Sequence, residues 1–222
     1  MGHPNAHECQ RGHPLPQTTG NYSKKKTVFS CERNSDRVQG LYKDFIETIS
    51  KISPECLIFL DEAGLTVKMT RLYARAYKGE RVVDFVPGHW GTNLTVTGAL
   101  SLQGPMALMT LKGALDGDAF KVYVKDCLLP NLKPGHVVVM DNLSVHKING
   151  IRELIESKGA RLLYLPPYHP DLNPIEKLWS KIKTLLRSAK ARTHEALENA
   201  LSNAINRIYT SDAKAWFKCC GY

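Results

Sequence analysis

The stretch "CLIFLDEAG", residues 56–64, decides the architecture of this chain. A short, continuously apolar run that is closed by acids and a glycine is typical of a strand buried in the middle of a sheet. The stretch "HVVVMDN", residues 136–142, repeats the pattern, so two buried strands each end in a carboxylate, Asp61 and Asp141. If these strands are parallel neighbours, both carboxylates lie at the same edge of the sheet, where ligands gather in sheets with crossover helices.

Further elements follow from periodicity and turn residues. The other predicted strands are "RVVDFV" (81–86), "NLTVTGALSL" (93–102), "PMALMTL" (105–111) and "RLLYLPP" (161–167). The predicted helices are 37–49, 119–129 with Asp118 as its N-cap, 148–157, one that Asn173 and Pro174 begin and that reaches about Ser188, and a last long one that Thr193 caps. Early hairpins and later strand–helix–strand crossovers predict an α/β fold with a mixed sheet flanked by helices.

The composition favours a soluble protein with a polyanionic partner. The chain has 222 residues and a formal charge of +9, and its 30 Lys and Arg are clustered in a few segments. Such clusters point to nucleic acid, with a solvated basic surface as the alternative. No apolar run spans a bilayer and no signal-peptide pattern is present, so no membrane partner is expected. Six irregularly spaced cysteines fit a reducing cytoplasm better than a disulfide framework.

The paired carboxylates indicate metal chemistry. Two anions a few ångströms apart repel each other unless a cation lies between them. Because Asp61 and Asp141 have no Cys or His at matching spacing, oxygen ligands alone would select a hard ion such as Mg²⁺ or Mn²⁺. Two such ions can activate the attacking oxygen and stabilise the leaving oxygen of a phosphodiester.

A third carboxylate, Glu176, lies in "YLPPYHPDLNPIEKLWSKIK", residues 164–183. Its position in the first turn of the predicted helix suits a capping box, which is the structural interpretation. The preceding loop contains four prolines and would fix where that turn presents a side chain, as an ion ligand requires. Lys177, Lys181, Lys183 and Arg187 follow without an intervening acid. They would lie along a phosphate backbone or form a solvated face.

These blocks, "LIFLDEAG", "VVVMDNLSVHK" and "YLPPYHPDLNPIEKLWSKIK", resemble the three catalytic blocks of the mariner superfamily of DDE transposases, in particular its bacterial insertion-sequence branch. The 34 residues between Asp141 and Glu176 match the interval of that branch. The resemblance covers about residues 20–222. It implies a ribonuclease-H-like fold, which retroviral integrases share. It also implies a protein that acts in the cytoplasm, in association with the bacterial nucleoid.

The resemblance also implies the chemistry. Asp61, Asp141 and Glu176 would be the catalytic acids that bind two Mg²⁺ ions, with Mn²⁺ as a substitute. The reaction would be hydrolytic cleavage at transposon ends, followed by attack of the freed 3′-hydroxyl on target DNA, with a preference for TA, a step that deforms easily. Synapsis of two ends would require a homodimer.

Several other residues are expected around this site. Glu62 should point to the opposite side of its strand from Asp61, in a structural or supporting role. Asn142 and His146 match family positions near the site and would orient a ligand or touch phosphate, or serve as helix caps or surface residues. Arg71, Arg75 and Lys78 lie among tyrosines in "MTRLYARAYKGERV" and suit DNA contact, with a solvated hairpin as the alternative.

No part of the chain resembles the N-terminal helix-turn-helix region of the family. We expect residues 1–22 to lack packed structure and to be an out-of-frame remnant, residues 23–54 to form a basic linker and helix, and residues 55–222 to form the catalytic core. An upstream-encoded half would then recognise the DNA ends. Two other hypotheses remain open: an inactive relic or regulator that binds DNA or full-length transposase, and a general metal-dependent nuclease of the same fold.

Overall fold

The computed structural model describes residues 30–89, 91 and 93–222. Its centre is a five-stranded sheet in the order β3-β2-β1-β4-β5. The strands are β1 (Leu57–Leu65), β2 (Leu94–Ser101), β3 (Gly104–Lys112), β4 (Val137–Met140) and β5 (Arg161–Tyr164). Strands β1 to β3 pair antiparallel, whereas β4 is parallel to both β1 and β5. The predicted mixed sheet is therefore confirmed.

Helices cover both faces of this sheet. They are α1 (Asp36–Ile49), α2 (Gly117–Val122), α3 (Ile151–Glu156), α4 (Ile175–Ala189), α5 (His194–Ile205) and α6 (Thr210–Cys220). Helices α1, α4, α5 and α6 pack on one face against Phe59 and Leu65, and α2 and α3 pack on the other against Ile58 and Leu60. Because side chains alternate along a strand, Asp61 falls on the α4 face and Glu62 on the α2 face.

A glycine lets the side chain of Leu108 pack closely beside Asp61. Gly98 on β2 is the register partner of Asp61. A Cβ atom on Gly98 would lie 2.4 Å from Leu108 Cδ2 and 3.4 Å from Trp179 Cη2. The missing side chain therefore leaves room for Leu108 of β3, and the buried Trp179 of α4 lies at ordinary contact distance from the same position.

Several local predictions were wrong. "RVVDFV" forms no strand: it lies in the irregular segment 66–89, here called the arm, and its apolar side chains are exposed, with no neighbouring strand among the described residues. The cap of α2 is Asp116, which accepts a hydrogen bond from Ala119 N, and not Asp118. The helix predicted to reach 129 continues after Val122 as a π-helical segment, Tyr123–Leu128. Helix α6 was not predicted.

The structure tests some of the remaining predictions, whereas others concern residues that it does not describe. Thr193 caps α5 through a bond from Ala196 N, as predicted. Among the described cysteines, Cys31, Cys56, Cys127 and Cys220 are free thiols. None of the described helices combines the length and apolar character needed to cross a membrane. The predictions for residues 1–22, and for 23–29 of the linker, lie outside the described residues.

Candidate active site

Asp61 and Asp141 lie together at one edge of the sheet. Phe59 pairs with Val139 in the parallel β1–β4 register, and each carboxylate comes two residues further along its strand. The conditional prediction from the sequence, that parallel neighbours would bring both acids to one edge, is therefore met. Asp61 is only 8% exposed, whereas Asp141 lies just past the end of β4 and is partly open to solvent.

Glu176 reaches the same place from the first turn of α4. The loop before it, residues 165–174, is held at several points: Asn142 Nδ2 donates to Leu165 O, and Tyr222 Oη donates to Leu172 O at 2.7 Å. No side chain of the described residues caps α4, so neither the predicted side-chain cap by Asn173 nor a capping box at Glu176 is found there. The structural interpretation of Glu176 therefore loses its support.

The three carboxylates line one pocket of about 480 Å³. Its other walls come from the turn after β4 and from the proline-rich loop, and they are Asn142, Leu143, Leu165, Pro166, Pro167, Tyr168, His169, Pro170 and Asn173. Tyr168 and His169 were not predicted to line the pocket. The signal that could have identified them was their position in the block 164–183, shortly before Glu176.

The electrostatics of the pocket disfavour an isolated Asp61 anion. Burial, and then repulsion from the Glu176 carboxylate, raise the pKa of Asp61 to about 7. Weaker repulsion from Glu62 and Asp141 acts in the same direction. A cation in the pocket would remove this cost, because it would neutralise the carboxylates that repel Asp61.

Asp141 behaves in the opposite way because hydrogen bonds stabilise its charge. Burial alone would raise its pKa, but bonds from His146 Nδ1 and from the Leu143 backbone N–H hold the pKa of Asp141 below its ordinary value. Asp61, inside β1, and Asp141, just past the end of β4, are therefore electrostatically distinct. One is a buried group in need of a counter-ion, and the other is already fixed by donors.

The donor set fits a hard divalent ion. Within the described residues, no three or more His, Cys, Asp and Glu side chains are spaced to hold an ion as they stand. The pocket nevertheless offers carboxylate oxygens from three elements, and the buried Asn173 Oδ1, without a hydrogen-bond partner in the described part, adds an amide oxygen. Oxygen-only ligands of this kind suit Mg²⁺ or Mn²⁺.

The residues predicted to bind DNA occupy two separate surfaces. Arg71, Arg75 and Lys78 are exposed on the arm. Lys177, Lys181, Lys183 and Arg187 lie along α4. Of these, Lys181 Nζ is already paired with Asp212 Oδ2 at 2.6 Å and lies over the Tyr209 ring, which makes it a structural residue of the α4–α6 contact.

Two further basic residues of this region hold the arm in place. Arg192 Nη1 donates to the carbonyls of Val67 and Met69, both at 2.9 Å. Lys190 Nζ pairs with Asp84 Oδ2 at 2.8 Å. The sequence could not show these contacts, because they join segments more than 100 residues apart. Lys190 and Arg192 look like part of a DNA-binding run in the sequence, but in the structure they anchor the arm.

Known proteins match the chain in sequence and fold. A family model described as DDE superfamily endonuclease matches residues 56–198. The Tc1 transposase of Caenorhabditis elegans is 28% identical over 124 residues, which are 54% of this chain and 45% of that protein. The chain thus spans less than half the length of the curated relatives that it matches.

Two solved structures show the fold. The mariner Mos1 paired end complex with Mg gives a TM-score of 0.65 at 16% identity, covering 95% of this chain and 68% of that one. The catalytic domain of Mos1 mariner transposase gives 0.59 at 13% identity, covering 90% and 96%. The expected ribonuclease-H-like fold is confirmed. With the family model matching well over half of its residues, the chain belongs to the DDE superfamily endonucleases.

Proposed function

We propose that this chain is the catalytic core of a cut-and-paste transposase, which cleaves DNA at insertion-sequence ends and joins the freed 3′-hydroxyl to target DNA. The observation that carries this proposal is the shared pocket of Asp61, Asp141 and Glu176. Its support comes from two directions: the family to which the chain belongs, and the relation to Tc1 transposase over 124 residues.

In this proposal the three acids hold two Mg²⁺ ions, and Mn²⁺ can replace them. Such ions, when bound, activate an attacking oxygen and stabilise a leaving oxygen of a phosphodiester. Asp61 supplies the most deeply placed oxygens, and its burial among carboxylates supports the need for a cation. Glu176 supplies a ligand from a separate element, since no capping bond occupies it.

We propose DNA as the substrate and two surfaces as its contacts. Lys183 and Arg187 make no ion pair in the described part of the chain and remain available on α4 for phosphates. The exposed Arg71, Arg75 and Lys78 on the arm, with Tyr73 and Tyr77 between them, suit phosphate contact and base stacking. A TA target is proposed because that step deforms readily.

The partners that we propose are a second copy of the chain and an upstream-encoded half that recognises DNA ends. The arm exposes Leu72, Val83 and Phe85, and a monomer rarely leaves such side chains together in solvent. A structural neighbour is a paired end complex, which agrees with a dimer.

The same proposal includes the origin, location and domain bounds of the protein. We propose that it comes from a bacterial insertion sequence and acts in the cytoplasm in association with the nucleoid. Its core would be residues 55–222, preceded by a linker and helix. Of that preceding region, α1 buries Val38, Phe45 and Ile49, the last two in the core on its side of the sheet.

The test is a strand cleavage and joining assay on a pre-nicked DNA duplex with Mg²⁺ or Mn²⁺, read on a denaturing gel. We expect cleaved and joined strands from the wild type, and a loss of roughly 1,000-fold or more in Asp141→Asn and Glu176→Gln, as removal of catalytic groups commonly causes. Glu153→Gln, an exposed carboxylate on α3, is the matched control. A folded, DNA-binding wild type without activity would overturn the proposal in favour of a regulator.

A further inference from the structure

A fully buried histidine joins two carboxylates that belong to different strands. His146 has no exposed surface. Its Nδ1 lies 2.6 Å from Asp141 Oδ1, and its Nε2 lies 3.1 Å from Glu62 Oε2. Both ring nitrogens are therefore engaged, each by one carboxylate, and the ring cannot turn without losing one of these contacts.

The surroundings of His146 fix it further. Its ring packs against Phe120 of α2 at a centroid distance of 4.8 Å. Its backbone carbonyl accepts a hydrogen bond from Tyr164 Oη of β5 at 3.0 Å. A side chain held by packing on one side and by the neighbouring strand on another is suited to position a third group.

The fixed position of His146 restricts the orientation of the Asp141 carboxylate. Its Oδ1 receives two hydrogen bonds, from His146 Nδ1 at 2.6 Å and from Leu143 N at 3.0 Å. No hydrogen bond to Oδ2 occurs in the described part of the chain, and the same carboxylate lines the pocket with Asp61 and Glu176. One oxygen is thus held by the protein, and the other is left for a ligand.

We propose that Glu62 and His146 are positioning residues that fix Asp141 so that it offers Oδ2 as a one-oxygen ligand to the divalent ion. This inference rests on the proposed metal-dependent function and adds to it a residue that acts through another. Glu62 lies on the α2 face of β1, away from the pocket, and reaches the ion only through His146. The adjacent acids Asp61 and Glu62 would then serve one ion from opposite faces of one strand.

The chemistry of metal sites supports this arrangement. Groups that hydrogen-bond metal ligands fix their orientation, and their loss typically weakens metal binding by about 10- to 100-fold. Leu143 N would still hold Oδ1 after loss of His146, but with one bond instead of two the carboxylate could rotate. Ion binding would then have to restore an orientation that the wild type already has.

The test measures Mn²⁺ affinity of the full chain without DNA, from the free Mn²⁺ signal in electron paramagnetic resonance. We expect His146→Ala to weaken binding by about 10- to 100-fold and Glu62→Ala by about tenfold. Glu62→Gln keeps an oxygen that can accept from Nε2–H and should bind nearly as the wild type does. The double variant Glu62→Ala with His146→Ala should be no weaker than His146→Ala alone, because both act on one carboxylate. Glu153→Ala is the surface control.

The outcomes separate this inference from the proposed function. If the wild type binds Mn²⁺ and Glu62→Ala binds it equally well per folded molecule, the positioning role is overturned and the metal-dependent function stands. A lower melting temperature with unchanged affinity is the same negative result. If the wild type binds no Mn²⁺, the proposed function fails first. Should His146→Ala not fold, the comparison of Glu62→Ala with Glu62→Gln still decides.

Discussion

The acidic pocket and the arm are built on opposite principles. In the pocket, Asp61 is 8% exposed, and the three acids come from the middle of β1, the position just after β4 and the first turn of α4. On the arm, Tyr73 is 86% exposed and the chain forms no strand or helix over residues 66–89. Both regions carry charged side chains, and the arm follows directly from the strand that carries Asp61.

The difference shows where this chain needs fixed geometry. Among the three acids, Asp61 is buried and donors hold Asp141, whereas Glu176 is exposed. Carboxylates that shared an ion, as we propose, would need fixed positions. Arg192 and Lys190, from the junction of α4 and α5, hold the arm near its two ends, and residues 71–83 between these contacts are exposed. An open middle with basic and aromatic side chains suits a surface that becomes ordered on binding a partner.

The largest expected difference between the two regions is in stability. Trp179→Ala removes a buried side chain behind Asp61 and should lower the free energy of unfolding by about 3–5 kcal/mol. Tyr73→Ala, on the arm, should change it by less than about 0.5 kcal/mol. Urea unfolding followed by circular dichroism measures both. Equal effects would mean that the arm packs on the core.

The anchors of the arm give the next effect. Arg192→Ala removes two 2.9 Å bonds to carbonyls of the first arm residues. Since a hydrogen bond from a charged group contributes about 1.5–3 kcal/mol, trypsin should cut at Arg71 or Arg75 about tenfold faster or more. Arg207→Ala, on an exposed position after α5, is the control. Unchanged cleavage would show that the arm is held elsewhere.

A smaller effect concerns DNA affinity. Lys183→Ala should remove one phosphate contact and lower the slope of log K against log salt by about 0.9. Lys181→Ala should leave the slope nearly unchanged, because Lys181 is occupied by Asp212. Fluorescence anisotropy with a labelled duplex over a range of salt concentrations measures both slopes. The reverse order of the two variants would contradict the division of α4 into DNA-facing and structural lysines.

The smallest effect is a pH dependence of the second anchor. Lys190, followed by Thr70, lowers the pKa of Asp84 to about 2. Because this pKa is depressed below that of the unfolded chain, near 3.8, the anchor is complete above pH 4 and is lost as the pH falls toward 2. Pepsin cleavage at Tyr73 or Phe85, corrected for the intrinsic activity of pepsin, should rise over that interval. In Asp84→Asn it should already be high at pH 4.

The sequence predicted the parts of the fold that local patterns determine. Continuous apolar runs identified β1 and β4, and Asp61 and Asp141 come together where β4 ends. The expectation that β1 ends at its acids was wrong, because β1 continues to Leu65 in its pairing with β2. Predictions were wrong where contacts in the folded chain determine the structure. "RVVDFV" has the composition of a strand but no neighbouring strand among the described residues, and Asp116 rather than Asp118 caps α2. A composition that permits a strand does not supply the partner that a strand needs.

For the site, too, the sequence predicted local features but not contacts between distant residues. Asp61, Asp141 and Glu176 could be named from their blocks, and all three line one pocket. Glu62 and His146 were expected around the site, but the contact between them could not be predicted, because they lie 84 residues apart in sequence. Nor could the sequence show that Lys181 and Arg192 are structural, since a run of basic residues looks the same whether it faces DNA or the protein.

Anomalous diffraction from crystals of the chain grown with a nicked duplex and Mn²⁺ would test the metal site most directly. We expect two manganese peaks in the pocket, held between them by oxygens of Asp61, Asp141 and Glu176, at ligand distances of about 2.0–2.2 Å. Asp141 should contribute Oδ2 and keep Oδ1 on His146. A pocket without manganese, or Glu176 directed away from every ion, would contradict the central claim that these three acids form one metal-dependent catalytic site.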